Sequence, residues 1–462
     1  MLTLIGAERI VIDSRTETSG NLVIGPDGFI VAAEPREASR VSPSEAPIET
    51  HMKSRAVGEV LDVSGCVVTP GLLNAHHHLM QTGFRTIPET RGVAMRDWLP
   101  AMAAAYAAAG IDESLTRVTA AVGLAEALLS GVTTVADHHL NWPSPEPGAV
   151  GAGDTVDRTV DIARSVAAAA EDLGARLVFV RGSARDDAQL AAASADAIAE
   201  TLLAEGHEGG VTSEGMLQLA VGPAGVHSDG EATFRAFAEV AARHGLRRRT
   251  QANEQVDTAI ALERYGRRPL DLLQEWGWLA PDVTIAHLCD VTDDEISLLA
   301  ATGVTATHAP GCDVPMGWGV APVARLLDAG IAVGLGTSGG GSNDAGHLLA
   351  DARLAMQVSA LVGPAIPART ILGLATTGGA EGLGRTDIGH LRPGARGDAC
   401  VWDVSGVADA GVADPVAGLL WASPGRRPRH VIVAGRVVVR DYRLVTADED
   451  ELVGALHARL AS

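Results

Sequence analysis

Residues 69–79 read Thr-Pro-Gly-Leu-Leu-Asn-Ala-His-His-His-Leu, and this stretch places imidazoles two positions apart after an apolar run. Side chains at positions i and i+2 of an extended strand point to the same face, so we expect His76 and His78 to share a face and His77 to take the other. Two neutral imidazoles on one face of a strand can form half of a divalent metal site. A loop with three solvated histidines is the alternative, and the tripeptide alone does not separate the two.

The composition is that of a globular protein with no nucleic-acid partner. The chain has 462 residues, of which 47% are hydrophobic and 20% are charged, and its formal net charge is -21. This length exceeds one simple core and suits a barrel with a smaller domain. A groove for polyanions needs concentrated positive charge, so the acidic balance argues against nucleic-acid binding.

Cysteine usage and apolar segments indicate the compartment. Cys66, Cys289, Cys312 and Cys400 lie far apart with no Cys-x-x-Cys pair, which argues against a disulfide framework or a zinc knuckle. The first residues lack the basic region and apolar length of a signal peptide, and no apolar run reaches about 18 residues. We therefore expect a cytoplasmic protein that has no membrane partner.

Both ends of the chain are rich in strand patterns. Near the N-terminus, β-branched runs flank a turn at Gly25–Gly28, and a Ser/Pro/Glu-rich stretch at 42–54 has the composition of a surface loop. The same character returns near the C-terminus, where a tight Ala-Gly turn joins two strands within 430–439. We expect the ends to pair into one small domain. The predicted domains are a composite β-sandwich, 1–65 with 390–462, and a barrel, 66–389.

The middle of the chain alternates strand and helix patterns. The candidate strands are 66–69, 132–137, 177–181, 217–222, 246–251, 283–287, 304–308 and 331–336. Helical patterns lie between most of them, at 115–129, 156–173, 232–244, 293–301 and 321–329. Eight strands separated by helices predict an α/β fold, a parallel (β/α)8 TIM-type barrel. A large doubly wound sheet is the alternative that the pattern leaves open.

Polar side chains follow the carboxyl ends of these strands. In a barrel those ends meet on one face, which is where active sites form. A single histidine such as His287 is more often a hydrogen-bonded core residue, but histidines at several strand ends favour a shared site. The candidates at the strand ends are His76, His78, His139, Gln251, Glu254, His287, His308 and Ser338.

The stretch Pro70–His78 resembles the first-strand His-x-His motif of the amidohydrolase superfamily. The resemblance runs nearly the whole length of the chain. It includes Gly131–Asp137, Ile285–His287, Gly334–Gly339, Ser342–Asp344 and Gly394–Ala399. Within the superfamily the chain is most similar to the branch of triazine hydrolases and 8-oxoguanine deaminases, and Met316–Pro322 resembles the chlorotriazine hydrolases.

The resemblance implies a metal-dependent hydrolase. It implies one Zn²⁺ held by His76, His78 and His287, with other divalent metals left open. It also implies that Glu254 exchanges protons with water and the leaving group, and that His308 faces the substrate. Zn²⁺ accepts neutral imidazole and lowers the pKa of its water toward about 7. A carboxylate within hydrogen-bond reach can take that proton and return it to a departing nitrogen.

Two positions depart from the family pattern. Gln251 replaces the fifth-strand histidine ligand, and an amide oxygen is a weaker zinc ligand than imidazole. Three histidines and a water still satisfy an open tetrahedral site, so Gln251 either orients the water or acts as a weak extra ligand. Ser338 replaces the aspartate that acts as base in most relatives, although chlorotriazine hydrolases carry threonine there. A serine has no basicity at neutral pH without an activator, so proton transfer falls to Glu254.

Further residues are candidate substrate contacts. Arg181 suits a carbonyl or carboxylate, although a structural ion pair is an equal alternative. Trp98 lies in a predicted helix over the barrel mouth, and its indole either walls a flat substrate or fills the core. The 311–313 stretch lacks the Ser-Asn pair common in relatives, which indicates a different pocket. The full set of these candidates is His139, Arg181, His227, Trp98, Trp318 and Asp313.

These observations favour a Zn-dependent hydrolase that attacks a carbon bonded to nitrogen in an amidine-, aminoheterocycle- or amide-like centre. The expected partners are a small-molecule or modified-peptide substrate and a second copy of the chain in a homodimer. One alternative is a tailoring enzyme that trims a modified peptide, as in bottromycin-type pathways. The other is a metal-depleted barrel that only binds a ligand, which the two departures at Gln251 and Ser338 motivate.

Overall fold

The computed structural model describes residues 1–35, 58–143 and 152–462. The surface loop expected at 42–54 lies outside these residues. Within the described part of the chain, no helix has the length and apolar character needed to cross a membrane.

Both ends of the chain contribute strands to one nine-stranded sheet, as the strand patterns predict. The two ends join where β5 (Cys66–Pro70) pairs antiparallel with β17 (Ala399–Asp403), with Val68 opposite Val401. Leu4, Val68 and Val401 are fully buried in one apolar core that these strands share. The strands of this sheet are β1 (Leu2–Val11), β2 (Glu17–Ile24), β3 (Ile30–Pro35), β4 (Glu59–Asp62), β5 (Cys66–Pro70), β17 (Ala399–Asp403), β18 (His430–Val433), β19 (Arg436–Arg440) and β20 (Arg443–Leu444).

One strand prediction is wrong. The stretch 66–69 was expected as the first barrel strand, but it lies in β5 of the terminal sheet. The barrel begins one element later, after the Pro-Gly step, with a strand at Leu72–His78. Both strands are fully buried and each begins with apolar residues, and only Gly71 lies between them, so the pattern does not mark where one sheet ends and the other begins. Gly71, which lies between the two strands, passes close to the strand Val132–His139, because a Cβ there would lie 2.2 Å from Thr133 Oγ1.

The middle of the chain forms a barrel of parallel strands. Neighbouring barrel strands pair in parallel throughout. Two short strands share the eighth place in the barrel. β15 (Val333–Leu335) pairs with β14 (Thr305–His308), and β16 (Ser338–Gly339) pairs with β6 (Leu72–His78), which closes the barrel. Its strands are β6 (Leu72–His78), β7 (Val132–His139), β8 (Arg176–Ser183), β11 (Leu217–Pro223), β12 (Arg247–Ala252), β13 (Val283–His287), β14 (Thr305–His308), β15 (Val333–Leu335) and β16 (Ser338–Gly339), with a small hairpin of β9 (His207–Glu208) and β10 (Val211–Thr212).

Helices connect the barrel strands, and the predicted helical patterns all fall on them. The helix expected over the barrel mouth is α1, which carries Trp98. The helices are α1 (Met95–Ala109), α2 (Glu113–Leu129), α3 (Ala152–Leu173), α4 (Ala188–Leu202), α5 (Glu231–His244), α6 (Gln255–Tyr265), α7 (Pro269–Glu275), α8 (Asp293–Thr302), α9 (Pro310–Asp313), α10 (Val323–Asp328), α11 (Leu348–Ser359), α12 (Ala368–Gly373), α13 (Gly379–Leu383), α14 (Pro415–Trp421) and α15 (Glu449–Leu460).

The barrel strands separate an inner core from an outer one. Ala136, Val178 and Val180 belong to a small cluster inside the barrel. Val135 and Phe179, the alternate residues of the same strands, pack outward in a large cluster with the helices. This period of two decides which polar side chains at the strand ends can reach the barrel mouth.

Candidate active site

The first barrel strand presents two histidines on one face. The rings of His76 and His78, two residues apart on β6, meet edge to face with centroids 4.9 Å apart. His77 points the other way, and its Nδ1 lies 2.9 Å from Thr337 Oγ1. Nδ1 of His78 lies 2.7 Å from the carbonyl oxygen of His138, so this nitrogen carries the proton and the lone pair of Nε2 is free. The strand therefore offers imidazoles in the alternation that the sequence predicts.

The sixth barrel strand brings a third histidine to the same place. His287, the last residue of β13, has its ring centroid 5.3 Å from that of His76. Its backbone φ of 77° is one that non-glycine residues rarely adopt, and such strain concentrates at functional sites. Nδ1 of His287 lies 2.6 Å from Oδ1 of Asp313, which leaves Nε2 for a further partner.

Gln251 and Glu254 complete the cluster from the fifth barrel strand. Oε1 of Gln251, on β12, lies 3.0 Å from Nε2 of His287. Glu254, which precedes α6, has Oε1 at 3.6 Å from the same nitrogen. Burial raises the pKa of Glu254 to about 7, and the charge of His287 limits the rise. Burial disfavours the charged form of His287, but the charge and hydrogen bond of Asp313 outweigh it and raise the pKa of this imidazole.

Buried polar atoms in this cluster lack hydrogen-bond partners. Among the described residues, none bonds to Nε2 of His76 or to either carboxylate oxygen of Glu254. A buried polar group without a partner costs about 1–3 kcal/mol, so such atoms mark the place of a ligand or an ion. Imidazole nitrogens with amide or carboxylate oxygens are donors that Zn²⁺ accepts. The chemical identity of these donors therefore suits a divalent metal ion.

The carboxylate of Asp313 lies next to the imidazoles of two histidines. Its Oδ1 contacts His287, and its Oδ2 lies 3.6 Å from Nδ1 of His308, the last residue of β14. Burial acts against the charged carboxylate, but the charge of His287, its hydrogen bond and the nearby His308 lower the pKa of Asp313 to about 2. Asp313 was expected to contact substrate, and this needs correction: the turn of α9 buries it behind the imidazoles, away from the cavity wall.

Ser338 lies where the eighth strand closes the barrel. It stands opposite His77 in β16, lines the cavity, and has a φ of 55°. In the part of the chain that the structure describes, no imidazole or carboxylate hydrogen-bonds to its hydroxyl. The hydroxyl therefore has no activating base and acts as a neutral polar group of the wall.

His138, rather than His139, faces the barrel interior. The His138 ring lies 5.9 Å from that of His76, and its Nε2 lies 2.8 Å from the carbonyl oxygen of Gly222. His139, predicted as a substrate contact, stacks on Phe179 in the outer layer and does not line the cavity. The reason is the period of two, since Ala136 points inward and position 138 follows it. Counting from that alanine would have identified His138 from the sequence.

Arg181 also points outward, for the same reason. Val180, its neighbour on β8, faces inward, so Arg181 lies among the helices. Its Nη1 is 2.7 Å from Oδ2 of Asp186, and its Nε is 3.1 Å from Oγ of Ser194. Of the two roles that the sequence left open, the structure shows the ion pair and places the guanidinium outside the cavity lining.

A cavity of about 440 Å³ opens onto the histidine cluster. This volume falls in the range of about 300–1,000 Å³ typical of small-molecule sites. Its lining includes His78, Gln251 and Ser338 at the strand ends, together with both predicted indoles, Trp98 and Trp318. Trp318 Nε1 is buried and has no hydrogen-bond partner among the described residues, so its N–H is available to a ligand.

His227, another predicted substrate contact, also lines the cavity. Its Nδ1 lies 3.2 Å from Oδ1 of Asp257, a buried carboxylate in the first turn of α6. Burial alone would lower the pKa of His227, but the hydrogen bond and charge of Asp257 outweigh it and raise that pKa. Asp257 was missed in the sequence because an acid in the first turn of a helix has an ordinary structural explanation.

Comparison with known proteins agrees with this geometry. The model of the amidohydrolase family matches residues 67–438. This chain belongs to the amidohydrolase family. An 8-oxoguanine deaminase from Pseudomonas aeruginosa is 33% identical over 414 residues, which cover 87% of this chain and 88% of that protein. An isoxanthopterin deaminase from an unknown prokaryotic organism is 30% identical over 429 residues, which cover 86% of this chain and 85% of the relative.

Solved structures of related enzymes support the same family and fold. The atrazine chlorohydrolase TrzN from Arthrobacter aurescens TC1, in a crystal structure complexed with zinc, superposes with a TM-score of 0.86 at 31% identity and covers 100% of both chains. The predicted superfamily, its triazine hydrolase and 8-oxoguanine deaminase branch, and the barrel fold are confirmed. The protein is a hydrolase of the class that acts on carbon–nitrogen bonds other than peptide bonds.

Proposed function

We propose that this protein is a zinc-dependent aminohydrolase that replaces an amino group on an N-heterocycle by an oxo group and releases ammonia. Water supplies the oxygen, and one metal ion per chain is required. The observation that carries the proposal is the convergence of three imidazoles, the amide of Gln251 and the carboxyl of Glu254 beside one cavity.

The metal ion is assigned to four side chains. His76, His78 and His287 supply imidazole nitrogens, and Gln251 supplies a weaker amide oxygen. Nδ1–H of His78 donates to the carbonyl oxygen of His138 and Nδ1–H of His287 donates to Asp313, and these bonds fix the tautomer that keeps a lone pair on Nε2. When bound, a divalent ion polarises a C=N carbon and lowers the pKa of water toward about 7.

Glu254 is the proton carrier of this proposal. Because its pKa is raised to about 7, it exists in both protonation states near neutral pH. A group with this balance can accept a proton from water and deliver it to the departing nitrogen. The unpartnered carboxylate oxygens are free to make those contacts.

His308 and Ser338 are assigned to the substrate. His308 ends β14 and is not among the residues that line the cavity, so we assign it to the innermost part of the substrate, a ring nitrogen or an oxo group. The carboxylate of Asp313 lies 3.6 Å from Nδ1 of this imidazole. Ser338, without a base, donates or accepts a hydrogen bond and does not abstract protons. Trp98 and Trp318 provide aromatic walls for a planar ring.

The deaminase relatives support an aminoheterocycle as the substrate, because two relatives that match over most of this chain are named for a purine and a pterin. The cavity of about 440 Å³ with indole walls suits a ligand of that size and shape. Peptide trimming, which has no comparable observation in its favour, is one arm of the test.

The test is release of ammonia by purified, zinc-loaded protein from 8-oxoguanine, isoxanthopterin, amino-triazines and an amidine-bearing peptide. We expect turnover of at least one heterocycle and none of the peptide. Replacing Glu254→Gln should lower turnover by about 10²-fold or more while the zinc content stays at the wild-type level.

A matched control is Glu263→Gln, the same change at an exposed site on α6. It should leave both turnover and zinc content unchanged. Full activity of the Glu254→Gln protein would remove this residue from the mechanism, and turnover of the peptide alone would replace the proposed substrate class.

A further inference from the structure

One cationic side chain at the cavity mouth has no partner. Arg185 is exposed, lines the cavity, and is the only lysine or arginine among its lining residues. Throughout 1–35, 58–143 and 152–462, no carboxylate forms an ion pair with its guanidinium. The protein as a whole carries a net charge of -21, so this uncompensated positive charge is a local exception.

The nearest acid in the sequence does not neutralise Arg185. Asp186 also lines the cavity, but its Oδ2 is held 2.7 Å from Nη1 of Arg181. The Arg181 guanidinium is itself fixed over the ring of Trp142, 4.5 Å from its centroid. The two neighbouring charges therefore cancel each other, and Arg185 remains available.

The backbone holds Arg185 in a strained conformation. Its φ of 72° lies in the left-handed region, which is unfavourable for residues other than glycine. The buried carboxylate of Asp229 accepts a hydrogen bond from the Arg185 backbone N–H at 3.3 Å, and it also anchors the hydroxyls of Ser183 and Ser228 at 2.6 Å. Strain that the surroundings enforce in this way is characteristic of ligand-binding positions.

Among the described residues that line the cavity, Arg185 is the cation without an acidic partner, since His227 is paired with Asp257. The cavity lining also includes apolar and aromatic side chains, such as Leu140, Trp142, Met95 and Met316. An arginine beside apolar walls favours a carboxylate, which it can bind through two parallel hydrogen bonds.

We infer that Arg185 selects N-heterocycles that carry a carboxylate substituent. The carboxylate pairs with the guanidinium at the mouth, while the amino-bearing carbon lies at the histidine cluster. This inference rests on the proposed function and adds to it the chemical class of the substituent. Arg185 is thus a specificity-determining residue that does not take part in the proton transfers.

The test compares two ligands that differ only in this charge, pterin-6-carboxylate and pterin-6-carboxamide. Their binding to the zinc-loaded protein is measured by calorimetry at low salt. The wild type should bind the carboxylate at least about tenfold more tightly than the amide, since a charge-assisted pair of hydrogen bonds is lost with the amide. Arg185→Gln should abolish this preference without weakening the amide, and Arg185→Lys should retain part of it.

Arg96→Gln is the charge-matched control, because Arg96 is a highly exposed residue at the start of α1. It should keep the full preference. Equal weakening of both ligands by Arg185→Gln would show a purely structural role and overturn the inference. So would a preference that survives this substitution, a wild type without preference, or a failure of both ligands to bind.

The inference and the proposed function fail in different ways. Ammonia release from uncharged heterocycles together with no carboxylate preference would refute the role of Arg185 and leave the aminohydrolase intact. A carboxylate preference that depends on Arg185, in a protein that releases ammonia from no heterocycle, would refute the aminohydrolase and the substrate class built on it.

Discussion

At position 251 an amide oxygen, rather than an imidazole nitrogen, faces Nε2 of His287 at 3.0 Å. In neutral His287 the proton is on Nδ1, which donates to Asp313, so Nε2 and the amide oxygen are both hydrogen-bond acceptors. Two acceptors repel each other at this distance unless a proton or a cation lies between them. The raised pKa of His287, which the charge and hydrogen bond of Asp313 cause against the effect of burial, supplies that proton in the absence of metal. A bound cation would take its place.

Replacing Gln251→His should therefore tighten metal binding. Imidazole is a better donor to zinc than an amide oxygen, so we expect metal loss to a chelator to slow by about tenfold or more. The same replacement at Gln255, an exposed residue at the start of α6, is the control and should change nothing. An unchanged rate in the first variant would mean that residue 251 does not contact the metal.

The sequence predicts part of this residue-scale arrangement. The two-residue spacing of His76 and His78 predicts their common face because a strand has a fixed period. No comparable signal exists for the positive φ values of Asn253, His287 and Ser338, since none of them is a glycine. The surrounding fold imposes those conformations, and they become visible only in three dimensions.

Close approach of β11 and β12 fixes the position of the fifth-strand side chains. The two strands pair in parallel at Ala220 and Arg247. Two residues further along β11, a Cβ on Gly222 would lie 1.5 Å from the carbonyl oxygen of Arg249. Only glycine permits this contact. The carbonyl oxygen of Gly222 also accepts a hydrogen bond from Nε2 of His138 at 2.8 Å.

Replacing Gly222→Ala should force the two strands apart. Overpacking of this severity should lower the free energy of unfolding by about 3 kcal/mol or more, as measured by chemical denaturation. Gly406→Ala is the control, because nothing lies within 4 Å of a Cβ at that position. Near-identical stability of the two variants would contradict the strand spacing described above.

At the scale of elements, periodicity predicted the strands and helices well but not their sheet membership. The segments 66–69 and 72–78 are both buried and lie only two residues apart, so the apolar run 66–69 was assigned to the barrel. Hydrogen bonding decides otherwise, because β5 pairs with β1 and β17. The predicted domain limits, which follow from such assignments, stay predictions.

The whole molecule combines a barrel with a sheet made from both chain ends. The two parts are tied by Arg176 of β8, whose Nε and Nη2 lie 2.6 and 2.9 Å from the carboxylate of Asp398. Both side chains are buried, and Asp398 also accepts a hydrogen bond from the backbone of Ala434. The sequence could predict that the ends meet, but not this ion pair, because 222 residues separate its partners.

Binding of one shared metal ion is a property of the whole barrel, since it requires side chains from strands that are far apart in the sequence. Elemental analysis of the purified protein after zinc loading and removal of free metal tests it most directly. We predict about one zinc per chain in the wild type, loss of that zinc in His287→Ala, and full retention in His457→Ala, an exposed site on α15. A wild type that binds no metal, or a His287→Ala protein that keeps the wild-type zinc content, would contradict the claim.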